Sequence, residues 1–301
     1  MTVTVTVTVE RCGGFATWRE LRRQHSRRAI ERALANSEVL RTRRNLYTTP
    51  RSSQQLLAAK ASAGALSHLS AALHHGWKVK TVPDTAWVTV PRKWGARPVP
   101  RDIHLHRSDI PSGQVEDCVT TPLRTLLDCA RALPFDEALT VADSALRSGT
   151  VTRGELLAAA TAARGPGSVR VRRVAEHASA KAHNPLESVL RALTIEVGLT
   201  LTPQLEVSDS GLYAKVDLGS EELRLIIEAE GYETHGTRKG LRRDCCRHTE
   251  FAVFGWTSLR YAYEDVMFEQ GWVRWSLLAW VALQSDLPQP KRPRHVLPRA
   301  A

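Results

Sequence analysis

No apolar run in this chain approaches the roughly 20 residues needed to cross a bilayer. The longest near the C-terminus, Trp275 to Leu283, includes Ser276 and follows Arg274. A leader pattern is missing as well: no early basic segment feeds an apolar one, and no cleavage-like site follows. Cysteine usage argues against a disulfide scaffold. The 5 cysteines (Cys12, Cys118, Cys129, Cys245 and Cys246) make no C-x-x-C pair, and their odd number leaves no closed framework. These absences point to a cytoplasmic chain with free thiols and no membrane partner. At 301 residues the chain needs no staples and has room for about two domains, or three small ones.

What is present is charge, unevenly placed. Of the net +11, residues 1 to 50 hold +6 (ten Arg against four Glu) and residues 291 to 301 hold +4, which leaves +1 for the 240 residues between. Two basic ends on a near-neutral body suit a polyanion, most simply nucleic acid. The plainer reading is an arginine-rich composition with a solvated tail. The prolines of "LPQPKRPRHVLPRAA" mark residues 285 to 301 as a basic disordered tail.

Threonine and valine alternate from residue 2 to residue 9, which is a strand pattern; with no turn or partner nearby, the alternatives to an edge strand are a disordered start or a misassigned start codon. After it, Thr17 and Glu20 form a capping box that starts a short helix. Ser26 then caps a second helix, with Ile30, Ala33 and Leu34 on one side and Arg27, Arg28 and Arg32 largely on the other. Two short strands around Arg44-Asn45 follow, a hairpin with Arg43 and Arg44 at its tip. Over residues 11 to 50 this is the order of a winged helix-turn-helix, whose second helix enters the major groove. A small basic helical cap is the alternative.

Residues 54 to 170 read as mixed α/β: helix over 54–76, strands at "AWVTVP" and "IHLHR", then helices over "PLRTLLDCARAL", "DEALTVADSALRSG" and "TRGELLAAATAARG". His68, His74 and His75 fit packing or capping, since adjacent residues cannot share a helical face, and Asp128 and Asp143 fit solvated faces or helix ends. "RGPGSVRVRR" reads as a linker with four clustered arginines. Residues 175 to 284 then run α-β-β-β-α-β-α, an α/β sandwich that stands as its own domain.

In that region the strand "LRLIIEAEG" carries Glu228 and Glu230 on one face, with Ile227 and Ala229 on the other. If the preceding loop centres on Glu222 and Leu223, Asp217 falls opposite Glu228, and cross-strand neighbours lie about 4.5 to 5.5 Å apart. Three carboxylates at that spacing raise one another's pKa unless a cation neutralises them. Oxygen-only ligands suit Mg²⁺ or Mn²⁺ held by Asp217, Glu228 and Glu230. Glu187, in the first turn of the preceding helix, adds a further carboxylate, and His235 follows the strand where it can move a proton. Arg242, Arg243 and Arg247 lie on the next helix, placed to hold a phosphodiester backbone. The alternative is a solvated sheet face whose carboxylates pair with those arginines. Cys245, Cys246 and His248 lack zinc spacing.

These stretches resemble a known group. Glu187, Ser188 and Arg191 match its E-S-x-x-R element, Asp217 its V-D, and Glu228, Gly231 and His235 its E-x-D-G-x-x-x-H. Asp244, Arg247, Gly255, Trp256 and Arg260 match its closing D-x-x-R and G-W-x-x-x-R. The group is the actinobacterial domain of unknown function related to very-short-patch-repair endonucleases, in the PD-(D/E)XK nuclease-like superfamily. The chain departs from it at Glu230, where the group usually has Asp, and the Lys of the superfamily's name motif is missing. Upstream, residues 11 to 50 are similar to the winged-helix domain of AbiEi-type antitoxins, and residues 54 to 170 to the middle region found with it. The resemblance implies a multidomain α/β protein with a restriction-endonuclease-like sandwich. It implies DNA as partner, a toxin partner or a homodimer as further ones, and a Mg²⁺-dependent cut of phosphodiesters in repair or in defence against phage and mobile elements. The other function it implies is a non-catalytic, antitoxin-type regulator that keeps the nuclease fold as scaffold.

Overall fold

Alternation of valine and threonine satisfies two periods at once, because residues four apart share a face in a helix as well as in a strand. In the computed structural model the helix wins. Thr4 caps helix α1 (Val5–Arg11) by accepting the Val7 N–H at 3.3 Å. Val5 and Val9 lie one turn apart and are buried with Leu21 and Ile30. The strand expected at 2–9 is therefore corrected to a helix over its described part.

The structure describes residues 4–12, 15–95, 103–209, 211–230 and 238–293. They hold 13 α-helices and three sheets, and the chain forms two compact units, Met1–Ala180 and Lys181–Ala301. No helix among the described residues is long and apolar enough to cross a membrane.

In the first unit, α1 leads through β1 (Phe15–Thr17), α2 (Trp18–Gln24), α3 (Arg27–Ala35), β2 (Leu40–Arg43) and β3 (Leu46–Thr48). The strands form an antiparallel sheet ordered β1-β3-β2. Both expected caps are present: Thr17 and Glu20 exchange hydrogen bonds at 2.8 and 3.3 Å, and Ser26 accepts the Ala29 N–H at 3.2 Å. Ile30 and Ala33 turn inward, while Arg27, Arg28 and Arg32 are exposed. Asn45 takes the left-handed conformation (φ 65) that the tight β2–β3 turn requires. Arg44 is exposed at that turn, and the side chain of Arg43 lies outside the described residues.

The unit continues with α4 (Pro50–Ala61), β4 (Ala65–Leu66), α5 (His68–His74), β5 (Ala86–Val90), β6 (Ile103–Arg107), β7 (Val115–Glu116) and β8 (Val119–Thr120), in a sheet ordered β6-β5-β4-β8-β7. The single helix expected over 54–76 is broken at Gly64, where a Cβ would stand 2.7 Å from the Thr89 carbonyl oxygen. Close approach of β4 to β5 takes precedence over helical periodicity there. Helices α6 (Pro122–Ala132), α7 (Phe135–Ser148), α8 (Arg153–Ala162) and α9 (Ser168–His177) complete the unit.

Two expectations are corrected in these helices. The linker read at 164–173 is a short turn and the start of α9, whose Val171, Val174 and Ala175 are buried with Leu126, Ala142 and Leu156. Asp128 and Asp143 are buried rather than solvated. Helix α7 is covered on nearly every side from Ala138 to Ala145, so its one aspartate there had to find a donor inside: Asp143 accepts the Ser179 N–H at 2.8 Å. Asp128 is held by Arg124 one turn earlier, at 2.8 Å.

The second unit runs α10 (Pro185–Glu196), β9 (Thr202–Asp209), β10 (Leu212–Ser220), β11 (Leu225–Glu230), α11 (Arg238–Val253), β12 (Thr257–Ala262), α12 (Tyr263–Met267) and α13 (Gln270–Gln284). The last helix expected from the sequence is thus two. Strands β9 to β11 are antiparallel, β12 returns parallel to β11 after the α11 crossover, and the order is β12-β11-β10-β9. Period two on β11 sorts two cores. Leu225 and Ile227 pack with Leu190, Val266 and Leu277 of α10, α12 and α13, while Ile226 packs with Phe251 of α11 and with Trp256. Glu228 and Glu230 follow Ile226 on the α11 side. After α13 the chain lies along that helix, with Trp275 Nε1 donating to the Pro290 carbonyl at 2.9 Å.

Candidate metal centre

The β10–β11 ladder pairs Leu218 with Ile227. One step further along, Asp217 meets Glu228, the juxtaposition expected from a turn centred on residues 222 and 223. Asp217 Oδ2 accepts the Ala229 N–H at 3.1 Å, which fixes the carboxylate against β11. On its other side the β9–β10 ladder skips Asp217 and Gln204, and Gln204 is left-handed (φ 54). The register is the same on both sides, Val216 with Leu205 and Leu218 with Pro203, and Gln204 Nε2 donates to Glu187 Oε2 at 3.0 Å.

Glu228 is 6% exposed. Its Oε1 accepts from Arg247 at 2.6 Å, whereas its buried Oε2 has no hydrogen-bond donor among the described residues. The nearest candidate is His248 Nε2, at 3.8 Å. Glu230 pairs with Arg260 of β12. One ligand atom each from Glu228, Glu230 and His248 falls within 4.8 Å of the others. His248 is oriented by its other ring nitrogen, 3.1 Å from Ser258 Oγ, the second contact that imidazole ligands usually have.

Burial is the largest influence on all these groups. It pushes the carboxyl pKa of Glu228, Asp217 and Glu187 upward, and for Glu228 the Arg247 guanidinium opposes that rise while Asp217 adds to it. Burial, then Arg260 and Arg247, push His248 downward, so its imidazole is neutral and has a lone pair to give. Glu187 stands apart in role. Its Oε2 accepts the His183 N–H at 2.8 Å as well as Gln204, its Oε1 accepts from Asn184 Nδ2 at 2.7 Å, and its own N–H returns to Asn184 Oδ1 at 3.0 Å. It locks the start of α10 and lies near enough to Asp217 for the two charges to oppose each other.

Of the residues singled out in the sequence, the fold brings Asp217, Glu228 and Glu230 together with Arg247, and sets Glu187 beside Asp217. Arg242 and Arg243 are exposed on α11. His235 lies outside the described residues. His248 and Arg260 complete the cluster and were missed as site residues. His248 had been considered only with Cys245 and Cys246, both of which are exposed free thiols on the same helix. Two carboxylates and one imidazole, with one Glu228 oxygen buried without a donor among the described residues, are a donor set that could hold a divalent metal ion. Arg247 and Arg260 compete for it.

No family model matches the chain. Two uncharacterized proteins of Mycobacterium tuberculosis, one from strain CDC 1551 / Oshkosh and one from strain ATCC 25618 / H37Rv, are each 33% identical to it over 156 residues. The match covers 50% of this chain and 57% of each relative, so the chain spans little more than half the length of the curated relatives it matches.

Proposed function

We propose that the second unit is a PD-(D/E)XK-like nuclease domain that hydrolyses DNA phosphodiesters with Mg²⁺ or Mn²⁺, carried on a first unit whose residues 11–50 bind duplex DNA as a winged helix. The observation that carries the reading is Asp217 beside Glu228, with Glu230 two residues on and one Glu228 oxygen buried without a donor. Glu228, Glu230 and His248, whose ligand atoms fall within 4.8 Å of one another, would hold the ion, with Asp217 beside Glu228 as a further carboxylate. When bound, a divalent ion lowers the pKa of its water and stabilises charge on the leaving oxygen. Arg247 with exposed Arg242 and Arg243 is placed to hold the backbone on the α11 side. His235 is the proton carrier in the proposal.

Two ion pairs favour another reading. Arg247–Glu228 and Arg260–Glu230 already neutralise two of the three carboxylates, as expected of a nuclease fold kept as scaffold in a DNA-binding regulator. Nicking of supercoiled plasmid separates the two. The nuclease reading expects nicking with Mn²⁺ or Mg²⁺, none with chelator and none from Asp217→Asn. Plasmid that stays intact under every divalent ion, while gel shifts still report DNA binding, makes the protein a regulator.

A further inference from the structure

The first unit contains a cavity of about 820 Å³ that the function proposed above does not use. Six arginines line it: Arg92 and Arg107 beyond or at the ends of β5 and β6, Arg124 and Arg131 two turns apart on α6, and Arg164 and Arg170 on either side of the Gly165-Pro166-Gly167 turn that opens α9. Among the described residues Asp128 is the only carboxylate in the lining, and Arg124 donates to both its oxygens, at 2.8 and 2.9 Å. Arg92 has a loose, exposed partner in Asp109 at 3.9 Å. Among the described residues Arg107, Arg131, Arg164 and Arg170 have no carboxylate partner, and their hydrogen bonds go to main-chain carbonyls.

That surplus of charge is held in place by structure. Arg131 donates to the carbonyls of Arg164 and Pro166, at 3.3 and 2.5 Å, which pins the turn. Gly167 is left-handed (φ +77), and a Cβ there would stand 3.2 Å from the Arg131 stem. Two histidines also line the cavity. The rings of His68 and His106 stack with centroids 3.7 Å apart, and buried His106 Nε2 has no hydrogen-bond partner among the described residues. Burial keeps both imidazoles neutral, with His106 lowered to about 4.

A cleft lined by one sign of charge concentrates the opposite ion, and the planar guanidinium fork matches phosphate oxygens. The volume lies within the range of about 300 to 1,000 Å³ of small-molecule sites. We infer that this cavity binds a small ligand carrying two or more phosphate groups, such as a nucleoside triphosphate, with the phosphates on the arginines.

The test is calorimetric titration of the full chain with ATP, GTP and inorganic tripolyphosphate, in chelator so that the carboxylate cluster is silent. All three probes should bind, and the exposed double variant Arg107→Gln/Arg170→Gln should weaken each by about tenfold or more, the loss of a charged hydrogen bond or two. A second pair, Arg92→Gln/Arg164→Gln, covers failure of the first to fold, read from melting midpoints. Absence of heat from all three probes up to about 10 mM, or unchanged binding by both arginine pairs, overturns the inference. So does a result in which the pairs weaken only duplex DNA binding, which would make the cavity part of a nucleic-acid groove.

Discussion

Glu228 has one oxygen on Arg247 and one without a donor, and each half carries an expectation. Arg247→Ala would leave the carboxylate buried without its cation. Because the Arg247 side chain is 33% exposed, water repays part of the loss, and the cost should be about 1–3 kcal/mol in urea unfolding. Asp217 tests the sign of the burial effect. Its folded pKa is raised, so ionisation opposes folding, weakly at acid pH and fully once pH has risen through the folded value. Metal-free Asp217→Asn should therefore be more stable than wild type near pH ~7, with the gap closing as pH falls below ~4, where the unfolded carboxyl takes up its proton too. A gap that is constant across that range would remove burial as the cause. The pairing of Asp217 with Glu228 was legible because period two and a short turn leave a strand few registers. His248 was not legible: local spacing does not say which side of α11 meets the sheet, and exposed Cys245 and Cys246 are just as close along the chain.

At the scale of elements, the sequence was misread where one pattern served two structures. Helix α1 is the clearest case. In a strand Val5, Val7 and Val9 would share a face and cost alike on truncation; in the helix Val9 is buried and Val7 is 37% exposed. Val9→Ala should then cost about 2 kcal/mol and Val7→Ala within about 0.5 kcal/mol, and equal losses would point back to a strand. Gly64 and the glycines before α9 misled in opposite ways. At Gly64 the helix breaks because a neighbouring strand needs the space, while the glycines near 165 stop one helix only to start another that packs into the same core. Helices announced by a capping residue, α2 and α3, were legible. Helix α3 carries the DNA-binding proposal through Arg27, Arg28 and Arg32. Gel shifts across a salt series should give a log-log slope of about 0.9 per neutralised phosphate, and Arg27→Ala/Arg28→Ala should lower both slope and affinity. Unchanged values would move the interface elsewhere.

On the scale of the whole molecule the chain is two compact units, Met1–Ala180 and Lys181–Ala301, and each holds one concentration of chemistry. Arginine surplus belongs to the first unit, and the cluster of Asp217, Glu228 and Glu230 belongs to the second. Damage to one should therefore leave the other working, so Asp217→Asn should keep full DNA binding in the gel shift. The measurement that bears most directly on the central claim is calorimetric titration of the metal-free full chain with Mn²⁺ near pH 7. The account expects one saturable site with a Kd near millimolar or tighter, weakened about tenfold or more in Asp217→Asn and in Glu228→Gln, and unchanged in Arg27→Ala/Arg28→Ala. Wild-type protein that takes up no Mn²⁺ to about 10 mM, or carboxylate variants that titrate as wild type does, would contradict it.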